Sequence, residues 1–177
     1  FLDSMSDLMG HWVPDAEIEA VLDIARQAHW HTFQLLTKNY KRLEKFRFPD
    51  NVWVGVSAPP THINGRALSL EQQRKMVALT LTALTVVDAK VKWMSIEPLS
   101  FDIAKTFEMW RVMRPIYRAA LPLQWAVIGA ATNGPKVYQP ESEWVRNVLY
   151  EFDRAEIPVF FKGNLKGNTA ADPWREE

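Results

Sequence analysis

The chain has 177 residues, of which 47% are hydrophobic and 24% are charged, which suits one domain with a buried core. Its 21 basic and 21 acidic residues cancel, so net charge does not indicate a nucleic-acid partner or an anionic membrane surface. With no cysteine, the sequence excludes a disulfide, a Cys-ligated zinc and a Cys-held iron–sulfur cluster within these residues. No apolar run approaches about 18 residues and no signal-like start is present, so we expect a cytoplasmic protein with no membrane partner.

The first part of the chain predicts a strand end, a helix and two further strands. FLDSMSDLM begins without Met and resembles the end of a strand, so we expect a fragment. A helix follows from Pro14, with Ile18, Val21, Leu22 and Ala25 at the spacing of one buried face. The runs HTFQLLTK and NVWVGVS then predict strands on either side of a short basic segment.

The second part alternates helices and strands. Ser69 with Gln72 three residues later predicts a capping box and a helix to about Asp88. The run VKWMSIEPL predicts a strand that ends at Pro98. Residues 103–120 predict a helix with a break at Pro115. LQWAVIGAATNG and IPVFFKG predict the last two strands, separated by an amphipathic helix over 141–155.

This alternation predicts an α/β fold with about six mostly parallel strands and helices outside, arranged as a partial (β/α) barrel similar to a TIM barrel. Six strands do not close an eight-stranded barrel. Either an upstream segment supplies the rest, or the sheet is open. We assign residues 1–163 to the barrel domain and 164–177 to a polar C-terminal tail.

Each predicted strand ends at a different polar group, which predicts a ligand site at one edge of the sheet. All strands of a parallel sheet point the same way, so these groups should meet at its carboxyl edge, where α/β folds bind ligands. With Asp7 after the truncated first strand, the candidate ligand-binding residues are Asp7, Lys38, Ser57, Glu97, Asn133 and Lys162.

Structural roles compete with this interpretation. Glu97 is equally explained by an ion pair with Lys38 or Lys162, and Asp7 by capping of the following turn.

The basic residues between Lys38 and Arg47 alternate with aromatic ones, but a solvated helix with its aromatic side chains turned inward is favoured over a nucleic-acid contact. Eight tryptophans are present; Trp53, Trp93 and Trp125 either line a barrel interior or pack under helices, and packing is favoured.

The segments SMSDLM, HTFQLLTK, NVWVGVS, WMSIEPL, WAVIG, EWVR and PVFFK, in this order, identify a family resemblance. Over residues 1–163 the chain resembles the phage-associated three-cysteine-motif proteins, a radical-SAM-like family. The resemblance implies a partial (β/α) barrel whose full-length members carry a cysteine-rich motif upstream. It also implies S-adenosylmethionine and an iron–sulfur cluster as cofactors of a full-length protein, although this chain itself offers no cysteine for a cluster.

S-adenosylmethionine is zwitterionic, so its amino group needs a carboxylate or carbonyl and its carboxylate needs a cation or hydroxyl. The candidate residues are of these types. Three positions depart from the family pattern: Asn39 replaces an Arg, Ala58 follows Ser57 where the family has a carboxylate nearby, and 130–133 replace a Gly-Gly-Glu-Ser turn.

These departures leave a second interpretation open, in which the chain is a phage-derived binding or assembly module with a decayed site. An incomplete barrel exposes a sheet edge, so a protein partner or self-association is also expected. Metal-independent hydrolysis has little support, because there is no G-x-S-x-G motif and no cysteine nucleophile.

Overall fold

A computed structural model describes residues 1–3, 6–63, 65–113 and 121–167. The α-helices are α1 (Asp15–Gln27), α2 (Leu70–Leu84), α3 (Ala104–Val112) and α4 (Ser142–Arg154), and Tyr40–Lys45 forms a 3₁₀-helix. The strands are β1 (Phe33–Thr37), β2 (Val52–Ser57), β3 (His62–Ile63), β4 (Arg66–Ala67), β5 (Val91–Ile96), β6 (Trp125–Ile128), β7 (Ala131–Asn133), β8 (Lys136–Tyr138) and β9 (Val159–Phe161).

The centre of the fold is a five-stranded parallel sheet in the order β1-β2-β5-β6-β9, which confirms the α/β class. Neighbouring strands of this sheet follow one another along the chain. Leu2 forms a parallel bridge with Leu35, and its amide donates to the carbonyl of Gln34 over 2.7 Å. A segment thus pairs with the outer edge of β1 at the place predicted for the truncated first strand. The described residues form no closed barrel.

One face of the sheet packs under the helices. Alternate strand residues, such as Leu35, Val54, Met94 and Ile128, are fully buried on this face. They share one core with the apolar helix residues Ile18, Leu22, Ala25, Val77, Leu81, Phe107, Val145, Val148 and Phe152. This burial is the main source of stability, because each such side chain contributes about 1.5–3 kcal/mol when removed from water. Of the α1 face predicted from the sequence, Ile18, Leu22 and Ala25 are confirmed as buried, and Val21 is half-buried.

Lys92 lies on this covered face and caps a helix. Its ammonium group donates to the carbonyls of Leu84 (2.9 Å) and Val87 (3.2 Å) at the end of α2 and just after it. Burial lowers the pKa of Lys92 from its ordinary value. At the other end of α2, Ser69 and Gln72 exchange hydrogen bonds of 2.8 and 3.2 Å, so the predicted capping box is confirmed.

The opposite face of the sheet is open, and no described helix covers it. Along each strand, the residues of this open face alternate with the core residues. They are Gln34, Leu36, Trp53, Gly55, Val91, Trp93, Ser95, Trp125, Val127 and Phe160. Trp53, Trp93 and Trp125 therefore lie opposite the helices, so the favoured prediction that they pack under helices is wrong. A parallel sheet with one uncovered apolar face departs from the usual two-sided burial.

Two antiparallel hairpins, β3-β4 and β7-β8, extend beyond the sheet and were not predicted. The predicted helix over 103–120 is described only over Ala104–Val112, and Pro115 lies outside the described residues. Of the predicted tail, Leu165 is 5% exposed and belongs to the core, while 168–177 lie outside the described residues. None of the described helices has the length and apolar character needed to cross a bilayer.

Candidate functional site

An ion pair joins two of the predicted strand-end residues at the carboxyl edge of the sheet. Glu97 follows β5 and Lys162 follows β9, and their carboxylate and ammonium groups lie 2.7 Å apart. The side chains are 26% and 47% exposed, so water and ligands reach both. The backbone fixes their positions, because the amide of Lys162 donates to Ile128 and that of Leu99 donates to Gly129. Of the two ion pairs that the sequence allowed for Glu97, the one with Lys162 is present.

Glu97 is held against the loop that follows β6. A Cβ atom on Gly129 would lie 3.0 Å from the Glu97 carboxyl carbon, so the absence of a side chain makes room for the carboxylate. Asn164, which sequence reasoning assigned to the polar tail, donates to the carbonyl of Ala130 over 2.9 Å and accepts from its amide over 3.2 Å. The same side-chain amide nitrogen of Asn164 lies 3.5 Å from Glu97 Oε1. Asn164 thus positions Glu97 and joins the loops after β6 and β9.

The ion pair lies at one end of a cavity of about 720 Å³ on the open face of the sheet. Its other lining residues are side chains of the open face together with Phe1, Gln124, Pro158 and Val159. Such a volume falls within the range of about 300–1,000 Å³ typical of small-molecule sites. The cavity is therefore apolar over most of its wall and charged at the carboxyl edge.

Three tryptophans form an aromatic floor in this cavity. The rings of Trp93 and Trp125, which are direct cross-strand partners, stack with centroids 4.6 Å apart and planes at 21°. Trp53 meets Trp125 edge to face at 5.9 Å. The Trp93 indole also donates to the carbonyl of Trp53 over 3.3 Å. We refer to Trp53, Trp93 and Trp125 as the aromatic floor.

A second cavity, of about 820 Å³, adjoins the first through Phe1 and Leu36 and contains Asp7, Lys38 and Ser57. Both carboxylate oxygens of Asp7 accept backbone hydrogen bonds, from Met9 and Lys38, each 3.0 Å long. These contacts match the capping alternative for Asp7 and attach the first segment to the end of β1. Lys38 is exposed, and no carboxylate pairs with it among the described side chains.

Asn39 and Arg42 fix the segment that borders the second cavity. Asn39 donates to the carbonyl of Met9 over 2.8 Å. Arg42 donates to the carbonyls of Gly10 and Val13 and to the carboxylate of Asp15. The hydrogen bond from Arg42 lowers the pKa of Asp15 from its ordinary value. Arg42 thus has a structural role in this segment.

Asn133 does not join the other predicted site residues. The chain leaves the sheet at Gly129 and forms a hairpin, in which Asn133 is exposed and pairs with Lys136. It lines neither of the two cavities. Asn164 occupies the position at the carboxyl edge that was expected for Asn133. The sequence signal for Asn164 was that it is a polar residue two positions after the strand-end residue Lys162.

Metal-binding geometry is not found in the part of the chain that the structure describes: no three His, Asp or Glu side chains come together there. What the site offers is a carboxylate, an ammonium group and the hydroxyl of Ser95 beside aromatic rings. Such a set can hold a molecule with paired charges and an apolar body by charge-assisted hydrogen bonds and ring stacking.

Comparison with known proteins identifies one matching family. Residues 1–172 match the family described as "Protein of unknown function (DUF5131)". No curated protein and no solved structure has significant similarity to the chain. Because the match covers nearly the whole sequence, the chain belongs to the DUF5131 family.

Proposed function

We propose that the carboxyl edge of the sheet binds a small zwitterionic molecule, and that the chain is the C-terminal barrel part of a phage-related, radical-SAM-like protein. The observation that carries the proposal is the Glu97–Lys162 pair, 2.7 Å apart and partly exposed at the end of a large cavity. A ligand amine would displace Lys162 from Glu97, and a ligand carboxylate would pair with Lys162. The ligand that we propose from the family resemblance is S-adenosylmethionine.

A partial barrel is the architecture that we propose for this site. Support comes from the sequential strand order and from helices packed on one face only, since repeated right-handed crossovers between neighbouring strands place every helix on the same side. The open face would then correspond to the interior of the barrel, and the carboxyl edge to its ligand-binding end.

An iron–sulfur cluster does not fit these 177 residues. Cluster ligands are mainly cysteines, of which the sequence has none, and His, Asp and Glu do not gather in threes among the described residues. We therefore derive no radical step from this chain. Its own residues would bind and orient the ligand, and cluster ligands would have to come from elsewhere.

Isothermal titration calorimetry with S-adenosylmethionine tests the proposal on the chain as it stands. The wild-type protein should bind, and Glu97→Gln and Lys162→Met should each weaken binding about tenfold or more, because each removes a charge-assisted contact. Lys90→Met is the matched control, since Lys90 forms an exposed ion pair with Asp50 at the opposite end of β5. A wild-type protein that does not bind, or variants that bind as well as the control, would refute the proposal.

The alternative is a non-catalytic binding or assembly module with a decayed site. The exposed edge strand β9 favours it, because Phe160 is 58% exposed there. Under this alternative Glu97→Ala changes stability at most, and sedimentation velocity shows self-association that a substitution in β9, Phe160→Lys, abolishes. A cytoplasmic location stays a prediction.

A further inference from the structure

We infer that the open face of the sheet binds the uncharged, planar aromatic part of the ligand or substrate, which stacks on the aromatic floor of Trp53, Trp93 and Trp125. The inference depends on the proposed function for one point only, the placement of the polar end of that molecule at Glu97 and Lys162. The position of the ring follows from the tryptophans themselves.

The aromatic floor is built into the backbone. A Cβ atom on Gly55 would lie 2.2 Å from the Trp93 indole, so Trp93 can lie across β2 only because Gly55 has no side chain. Trp93 is 2% exposed, and its indole N–H is bound to the carbonyl of Trp53. Trp93 is thus fixed in place and supports Trp125, which stacks on it, so the aromatic floor is preorganised and loses little entropy when a ligand binds to the accessible indoles.

The two other tryptophans present accessible surface to the cavity. Trp53 and Trp125 are partly exposed, line the cavity and meet at an angle of 66°. Phe160 lies beside them on β9 and is 58% exposed. A planar ring that enters this corner contacts one indole by its face and another by its edge, which are the two favourable arrangements of aromatic pairs.

The charges of the wall indicate that the ring itself is neutral. Among the side chains that line this cavity, the charged ones are those of Glu97 and Lys162, and they lie together at the carboxyl edge. Around the aromatic floor the polar groups are uncharged, and Gln34, Ser95 and Gln124 supply them. A charged ring would lose its hydration there without an oppositely charged group to pair with. A neutral ring with one polar substituent matches both the aromatic floor and the charged carboxyl edge.

The size of the cavity suits a small molecule. Trp93 is buried and the two other indoles are partly buried, so a ligand reaches the aromatic floor through Trp53 and Trp125. The volume of about 720 Å³ accommodates a bicyclic ring with a substituent.

A matched pair of probes tests the inference without any variant. 2-Naphthol and its saturated counterpart decahydro-2-naphthol have the same carbon skeleton and hydroxyl group and are both neutral, but only the first is planar and aromatic. Calorimetric titration of the wild-type chain should show about 3- to 10-fold tighter binding of 2-naphthol, the effect expected from ring stacking. Equal affinities, or no binding of either probe, would overturn the inference.

A variant then locates the site. Trp125→Leu keeps an apolar side chain, so it should reduce the preference for 2-naphthol to less than about twofold. Trp53→Leu gives the same readout if Trp125→Leu does not fold by circular dichroism. A preference that persists in the folded variant overturns the assignment. Sedimentation velocity on the same samples identifies a dimer that covers the face, which would also overturn it.

The two proposals fail separately. If 2-naphthol is preferred but S-adenosylmethionine does not bind, the aromatic site stands and the proposed ligand at Glu97 and Lys162 is wrong. If S-adenosylmethionine binds through Glu97 and Lys162 without a 2-naphthol preference, the proposed function stands and the aromatic assignment is wrong.

Discussion

The indole of Trp93 packs directly on the backbone of Gly55. A Cβ atom on residue 55 would lie 2.2 Å from the nearest atom of that indole, so only glycine leaves room for the ring. The two residues are partners in the register of β2 and β5. The whole aromatic floor depends on this contact, because Trp125 stacks on Trp93 and Trp53 packs against Trp125.

We therefore expect Gly55→Ala to destabilise the protein and displace Trp93. Extra atoms in a packed site typically cost about 1–3 kcal/mol of unfolding free energy. Urea unfolding gives the energy, and near-ultraviolet circular dichroism reports the loss of the stacked indoles. Gly163→Ala is the control, since a Cβ atom there meets no other atom within 4 Å. A Gly55→Ala variant as stable as the control, with an unchanged aromatic spectrum, would contradict the structure.

Asn164→Ala should cost more stability than Asn133→Ala, although only Asn133 was selected from the sequence. Asn164 exchanges two hydrogen bonds with Ala130, and its loss leaves buried backbone groups unpaired at about 1–3 kcal/mol. Asn133 is exposed on a hairpin, where a substitution usually changes stability by less than about 0.5 kcal/mol. Chemical denaturation of both variants checks the difference. Equal losses would mean that Asn164 does not join the two loops.

The sequence predicted the five strands of the sheet because each is a compact apolar run ended by a polar residue or proline. It did not reveal the hairpins, since β3, β4, β7 and β8 have two or three residues each and show no periodicity. Asn133 was misplaced for the same reason: nothing local distinguishes a continued strand at Gly129 from a turn. The role of Asn164 depends on a partner 34 residues away, which no local pattern reports.

The two faces of the sheet show a second limit of sequence reasoning. Strand residues of both faces are apolar, and alternation alone does not tell which set the helices cover. The tryptophans were therefore assigned to packing, whereas the structure places three of them on the open face. By contrast, Glu97 and Lys162 were predicted as strand-end groups, and the structure brings them together.

Acid should weaken the contact between Asp15 and Arg42. The pKa of Asp15 in the folded chain lies below its usual value of 3.8, chiefly because Arg42 donates a hydrogen bond to the carboxylate. A carboxylate with a lowered pKa stabilises the fold above the unfolded pKa, and this stabilisation is lost as the pH falls through the folded value. The wild type should therefore unfold at a higher temperature than Asp15→Asn near neutral pH, and the difference should shrink as the pH falls below 3.8.

Thermal unfolding at about pH 6 and about pH 2, followed by circular dichroism, measures this difference. Asp50→Asn is the comparison, because the Asp50–Lys90 pair is exposed and such pairs contribute little. A gap between the wild type and Asp15→Asn that is as wide in acid as at neutral pH would contradict the assigned role of the carboxylate.

Glu151 connects α3 and α4 through a buried ion pair, and its removal should destabilise the protein more than Gly55→Ala or Asn164→Ala. Its side chain is 8% exposed, contacts Arg111 of α3, and lies 3.4 Å from Arg154 of its own helix. Glu151→Ala leaves Arg111, whose side chain is only 19% exposed, without this counter-ion, and breaking a buried pair typically costs about 3–5 kcal/mol. Urea denaturation of this variant beside Arg154→Ala provides the measurement, and the latter should lose less because Arg154 is 54% exposed.

A double substitution distinguishes the stability lost through an unpaired charge from the stability lost through altered packing of α3 against α4. Burial lowers the pKa of Arg111 from its ordinary value, which shows that desolvation works against its charged form. Because replacing both members of a buried pair with apolar side chains is often nearly neutral, Arg111→Met with Glu151→Leu should recover most of the loss caused by Glu151→Ala. Recovery would assign the loss to the unpaired charge on Arg111. A double variant as unstable as Glu151→Ala would instead mean that the packing of α3 against α4 requires the shapes of the native side chains.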